Sequence, residues 1–191
     1  LLLLAFFAGL GPLVRPELSI VSVLALAMLF LAPQTWLSRL RVFAFAGAVP
    51  VLYQIWRMGY YGLPYPNTAV SKDAGGAKWS QGWAYLTNLM GPYLLWLPLV
   101  LLLLGAALSV TRVRPTLPRS VGGLLAALRT PTAVVVFVLV SGLLLAVYAI
   151  RVGGDFMHGR TLLPALFTLL LPISILPVAL PQRWSGNRAT A

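Results

Sequence analysis

Apolar residues in this chain fall in long unbroken runs, not at the spacing of two or 3.6 that marks half-buried strands and surface helices. Measured against the roughly 20 residues that cross a bilayer's hydrocarbon, the runs predict six membrane helices, near residues 1–14, 18–32, 42–56, 93–110, 132–150 and 161–180. The second and third are short, and flanking residues such as Trp36 and Met58 stand where they could lengthen them. The fold class is therefore all-α, a polytopic transmembrane bundle over residues 1–180 with a terminal stretch at 181–191. Leu1 begins inside an apolar run without a basic leader, so the first helix reads as part of a span and the chain as a piece of a longer membrane domain. Pro50, Pro98, Pro164, Pro172 and Pro177 interrupt the runs and predict irregular helices where backbone lines protein or a wet cleft.

Composition agrees with that pattern. Of 191 residues, 60% are hydrophobic and 9% charged, where a water-soluble domain carries about 25% charged residues. Fourteen Lys and Arg against three Asp and Glu leave a net charge of +11. The bases stand singly or in pairs between apolar runs, which argues against a nucleic-acid groove. The absence of Cys removes disulfides, thiolate metal sites and cysteine nucleophiles.

Six spans make the connections alternate sides, and the bases then set the orientation, since Lys and Arg favour cytoplasmic loops. Arg39, Arg41, Arg112, Arg114, Arg119, Arg129, Arg183 and Arg188 share one side with no acid. That side is assigned to the cytoplasm. The other side receives Glu17, Asp73 and Asp155 together with His158, so all carboxylates and the lone imidazole lie outside. The competing reading is that the inner arginines only hold topology and the outer polar residues are solvated loop.

Three outer stretches carry candidate chemistry. Residues 57–92 are too polar to span but rich in aromatics, and within them 78–90 reads as an interfacial helix. Trp79, Trp83, Leu86 and Met90 share one face, with Gln81, Ala84 and Asn88 opposite. Such a face either anchors depth in the lipid interface or offers a platform for sugar rings. Ahead of it, Gly62, Pro64 and Pro66 predict a turn directly after the third span, near Tyr60, Tyr61, Asn67, Lys72 and Asp73. Residues 151–160, Arg-Val-Gly-Gly-Asp-Phe-Met-His-Gly-Arg, form the strongest signal, because connecting two spans requires no acid, imidazole or second arginine. Three glycines would let backbone approach a ligand, Arg160 suits phosphate oxygens, and a helix beginning at Thr161 would add its positive end. Asp155 could bind a metal, accept sugar hydroxyls or pair with Arg160. Arg15-Pro16-Glu17, in the first outer turn, is either a local salt bridge or part of a polar cavity.

In these segments the chain resembles the lipid-dependent membrane glycosyltransferases of the GT-C architecture, most closely the actinobacterial terminal β-arabinofuranosyltransferases. The resemblance rests on Gly153-Gly154-Asp155-Phe156-Met157-His158-Gly159-Arg160, Tyr60-Tyr61-Gly62 with Pro66-Asn67-Thr68, Lys72-Asp73-Ala74 and Arg15-Pro16-Glu17. It implies a multi-pass plasma-membrane enzyme with an extracytoplasmic active site. Its donor would be decaprenyl-phosphoryl arabinose, and its acceptor the end of an arabinan chain in arabinogalactan or lipoarabinomannan. The family's acidic base would lie in a first outer loop before Leu1, and a soluble carbohydrate-binding region would follow Ala191. This segment alone is then expected to be inactive, with no base nameable in it.

On that reading Arg160, His158, Arg15 and Lys72 hold the donor phosphate, while Asp155, Asn67, Tyr60, Tyr61, Glu17 and Asp73 orient donor or acceptor hydroxyls. Trp79, Trp83 and Met90 meet the lipid. No metal ligands are assigned, although a divalent cation remains open as a cofactor. A mannosyl or other hexosyl enzyme would share these motifs. A transporter or flippase subunit would instead place ionisable residues within its spans.

Overall fold

The structure, a computed structural model, describes residues 1–32, 34–64, 76–113 and 120–174. Those residues form helices and turns, with no strand among them. The helices are α1 (Leu2–Val14), α2 (Ser19–Leu31), α3 (Trp36–Tyr61), α4 (Trp79–Met90), α5 (Trp96–Val113), α6 (Val121–Ala127), α7 (Pro131–Arg151) and α8 (Leu163–Ser174). A single 3-10 turn, Pro16–Leu18, links α1 to α2.

Local chemistry explains several of the boundaries. Thr35 and Thr130 begin α3 and α7, their hydroxyls accepting from the Ser38 and Ala133 N–H groups at 3.3 Å. Pro131 then occupies the first turn of α7, where its missing N–H costs nothing. At its other end α7 stops in a Schellman motif: the Gly153 N–H donates to Ile150 O and the Gly154 N–H to Ala149 O.

Of the described helices, α7 is long and apolar enough to cross a membrane, and only 28% of its most apolar window is buried within the protein. A helix at the centre of a soluble core would be mostly covered. The wider surface agrees, with Phe43 76%, Phe167 69% and Leu52 67% exposed. Apolar exposure on that scale suits lipid rather than water.

The six predicted spans differ from the observed helices. Residues 42–56 belong to a 26-residue helix that does begin at Trp36 and runs past Met58 to Tyr61. Tyr60, Tyr61 and Arg57 are thus helical, not loop residues, and the chain turns only at Gly62, whose φ is +67°. At 13 residues each, α1 and α2 rise about 20 Å, short of the roughly 30 Å hydrocarbon layer. The last predicted span is described to Ser174, and its remainder, with residues 181–191, lies outside the described residues.

Packing divides the helices into two groups. Helix α1 packs on α2 and α3 around Ala5, Val42 and Ala46. A Cβ on Gly9 would stand 2.0 Å from Ala46 O, so only a residue without one permits that helix contact. The second group sets α4 and α8 against α7 around Leu89, Ala149 and Leu162, with α5 on α8. Helix α2 and the Pro16–Leu18 turn join the groups by touching α7.

Candidate functional site

Residues 151–160 form a shaped loop held against α4. Gly153, Gly154 and Gly159 have φ of +84°, +78° and +70°, a region L side chains rarely enter. A Cβ on Gly154 would meet the Tyr85 ring at 2.4 Å, and one on Gly159 would meet Leu89 at 2.8 Å. The glycine-permitted close approach is therefore to α4, not directly to a ligand. Gly82 completes the fit, since a Cβ there would lie 1.8 Å from Ile150 O at the end of α7.

Hydrogen bonds lock the same junction. The Lys78 N–H donates to Arg151 O at 2.8 Å. The Tyr85 hydroxyl donates to Met157 O at 2.7 Å and accepts from the Thr161 N–H at 3.4 Å. Sequence reasoning counted Tyr85 among the aromatics of residues 57–92 and gave it no role. Its partners lie more than 70 residues away, which spacing along a helix does not reveal.

The helix predicted over residues 78–90 is present as Trp79–Met90. Its protein-facing side is Gly82 and Leu89, with Tyr85 and Leu86 half-buried. Trp79 and Trp83 stay exposed about a quarter turn away, free to meet lipid, while Met90 is half-buried.

Asp155 and Arg160 are brought together. Arg160 Nη1 lies 3.5 Å from Asp155 Oδ2, with the arginine side chain 50% exposed and the aspartate 14%. Asp155 Oδ1 also accepts from the Phe156 N–H at 2.8 Å, and Arg160 Nη1 contacts Met157 Sδ at 3.4 Å. A half-exposed guanidinium pinned by one carboxylate keeps donors for an incoming anion. Helix α8 begins at Leu163 instead of Thr161, so its N-terminus starts just beyond Arg160. His158 is exposed beside Tyr93, their ring centroids 5.9 Å apart.

In the turn after α1, Arg15 Nη2 and Glu17 Oε1 are 2.5 Å apart, so the local salt bridge forms. Tyr60 and Tyr61 close an exposed aromatic series on α3. Trp56 stacks on Tyr60 at 5.4 Å, and Tyr60 meets Tyr61 edge-on at 4.8 Å. The structure does not gather every predicted residue into one contact set, because each ion pair closes within its own turn. Asn67, Lys72 and Asp73 lie outside the described residues. Among the described residues no three His, Asp or Glu side chains gather as metal ligands.

A helical protein with a membrane-length apolar helix, and with a paired arginine in the loop that follows it, is the class these features define. Over 193 residues the chain is 49% identical to a terminal β-(1→2)-arabinofuranosyltransferase of Mycobacterium tuberculosis. The match covers 98% of this chain and 31% of that protein. A Corynebacterium glutamicum protein of the same name is 46% identical over 180 residues, 94% of this chain and 26% of its own length. By sequence the chain is similar to these two proteins along nearly all of its own length and spans under a third of theirs. No family model matches it, and no solved structure does so significantly.

Proposed function

We propose that the protein of which this chain is part transfers arabinofuranose from a polyprenyl-phosphate donor, decaprenyl-phosphoryl arabinose, to the end of cell-wall arabinan. The observation that carries the reading is identity of 46–49%, across nearly the whole chain, with two proteins named terminal β-(1→2)-arabinofuranosyltransferase; that name supports arabinofuranose as the group transferred. Their shared name favours a pentosyl transferase over a hexosyl enzyme or a transporter.

The site geometry supports a division of roles. Arg160 binds the donor phosphate and stabilises charge growing on it as the glycosidic bond breaks. Asp155 holds Arg160 in position and orients sugar hydroxyls. His158, in the same loop and exposed beside Tyr93, hydrogen-bonds the leaving phosphate. Arg15 and Lys72 add positive potential; Glu17, Asn67, Asp73, Tyr60 and Tyr61 contact donor or acceptor; Trp79, Trp83 and Met90 meet lipid. No general base is assigned to these residues, and no metal step is required by the roles given. In the membrane the chain is multi-pass with this face extracytoplasmic, a reading supported by the separation of acids from inner arginines.

The test is transfer by the full-length protein. Arg160→Ala is expected to reduce kcat by about two orders of magnitude, as loss of a transition-state charge contact does. Asp155→Asn keeps shape while removing charge and should lower the rate less. Wild-type turnover in Arg160→Ala would remove the loop from the mechanism.

A further inference from the structure

Tyr85 sits half-buried on α4 and packs against the cluster of Leu89, Ala149 and Leu162. Its ring and its hydroxyl engage different parts of the 151–160 loop. The ring lies so close to the Gly154 turn that a Cβ there would stand 2.4 Å from it, and Asp155 is the next residue. The hydroxyl meets the other end. It donates to Met157 O, the carbonyl on which the Arg160 N–H also closes at 3.5 Å, and it accepts from the N–H of Thr161, the residue after Arg160.

The backbone of Arg160 is thus held on both sides by one phenol. Its side-chain head is held less firmly. Asp155 Oδ2 at 3.5 Å is a long contact for a charge-assisted hydrogen bond, Met157 Sδ at 3.4 Å is a weak acceptor, and the guanidinium is half exposed. An ion pair that open to solvent contributes little by itself, while a free arginine side chain keeps much rotamer freedom. What narrows the volume that the guanidinium sweeps is the fixed root of the side chain. Asp155 is fixed in the same way, because the turn that leads into it rests on the Tyr85 ring. Both members of the pair take their place from a single residue of another helix.

We propose that Tyr85 is the positioning residue of the Asp155–Arg160 pair, its ring setting the aspartate and its hydroxyl setting the arginine. The effect on transfer rests on the role given to Arg160 above; the placement of the pair does not. Misplacing a group at a reacting centre by about 1 Å can cost on the order of a hundredfold in rate, and loss of the hydroxyl with the ring left in place should cost part of that.

The experiment uses the full-length protein in phosphatidylcholine nanodiscs and takes two readouts: steady-state arabinose transfer, and labelling of arginines by phenylglyoxal followed by mass spectrometry. Tyr85→Phe should lower kcat about tenfold with little change in KM, the pattern of a contact made in the transition state. In an Arg160→Ala background the same substitution should change kcat by less than about twofold, since the group it places is gone. Phenylglyoxal should modify Arg160 about threefold faster in Tyr85→Phe than in the wild type, with Arg15 labelled at an unchanged rate. An equal fall of kcat in both backgrounds would overturn the proposal, because a general weakening of the fold acts whether or not Arg160 is present. Wild-type labelling of Arg160 in Tyr85→Phe would overturn it as well, whatever the rate of transfer. If the wild type transfers no arabinose while Tyr85→Phe opens Arg160 to the reagent, the transferase reading falls and the placement of the pair stands.

Discussion

Tyr85 donates to Met157 O and accepts from the Thr161 N–H, so one hydroxyl ties both ends of residues 157–161 to α4. Each such bond contributes about 0.5–1.5 kcal/mol net. Tyr85→Phe keeps the ring against Gly154 and removes both bonds, and so is expected to cost about 1–2 kcal/mol locally. Hydrogen exchange is the direct readout: amides of residues 157–161 should exchange roughly tenfold faster, while those in the middle of α7 hold their rates. Equal rates in the loop would mean that its glycine-permitted turns hold it without Tyr85. Asp155 and Arg160 were legible as candidates because charged residues in a ten-residue connection are conspicuous. Their pairing was one of three readings left open for Asp155, and the fold shows that it forms.

At the scale of elements, the contact between α4 and α7 decides where the loop points. Gly82 lets the α4 backbone close on Ile150 O, and Leu89 is buried beside Ala149 and Leu162. Gly82→Leu must push the helices apart, because the blocking atoms are backbone and cannot rotate away. The expected outcome in the full-length protein is a fall in melting temperature together with a lengthened spin-label distance between α4 and the end of α7. An unchanged distance would show that α4 is positioned from elsewhere. The existence of α4 could be read from the spacing of Trp79, Trp83, Leu86 and Met90. Its docking face could not be, since small residues such as Gly82 contribute no hydrophobic signal yet set how closely two backbones approach. The same limit applies to α3: the apolar run ended at Trp56, but backbone hydrogen bonding carries the helix on to Tyr61, where Gly62 stops it.

For the whole molecule, the bilayer supplies the frame. Because the chain has no Cys, single cysteines report sidedness without background from this segment. Phe156→Cys and Trp83→Cys should react with a membrane-impermeant maleimide from outside, and Ser120→Cys only after permeabilisation, because α7 separates them. Reaction of Ser120→Cys and Phe156→Cys from the same side would end the assignment of α7 as a span. The sequence by itself determined the helical class, the preference for lipid, the placement of the bases and the residues with usable chemistry. These follow from hydrophobicity, charge and backbone covalency, which act locally and need no knowledge of neighbours. Tertiary structure alone decided that the Gly153–Gly154 turn closes on Tyr85 and that Arg160 leans on Asp155. Each of those depends on which surfaces meet across long stretches of chain, and close packing selects them through shape, which no single segment carries.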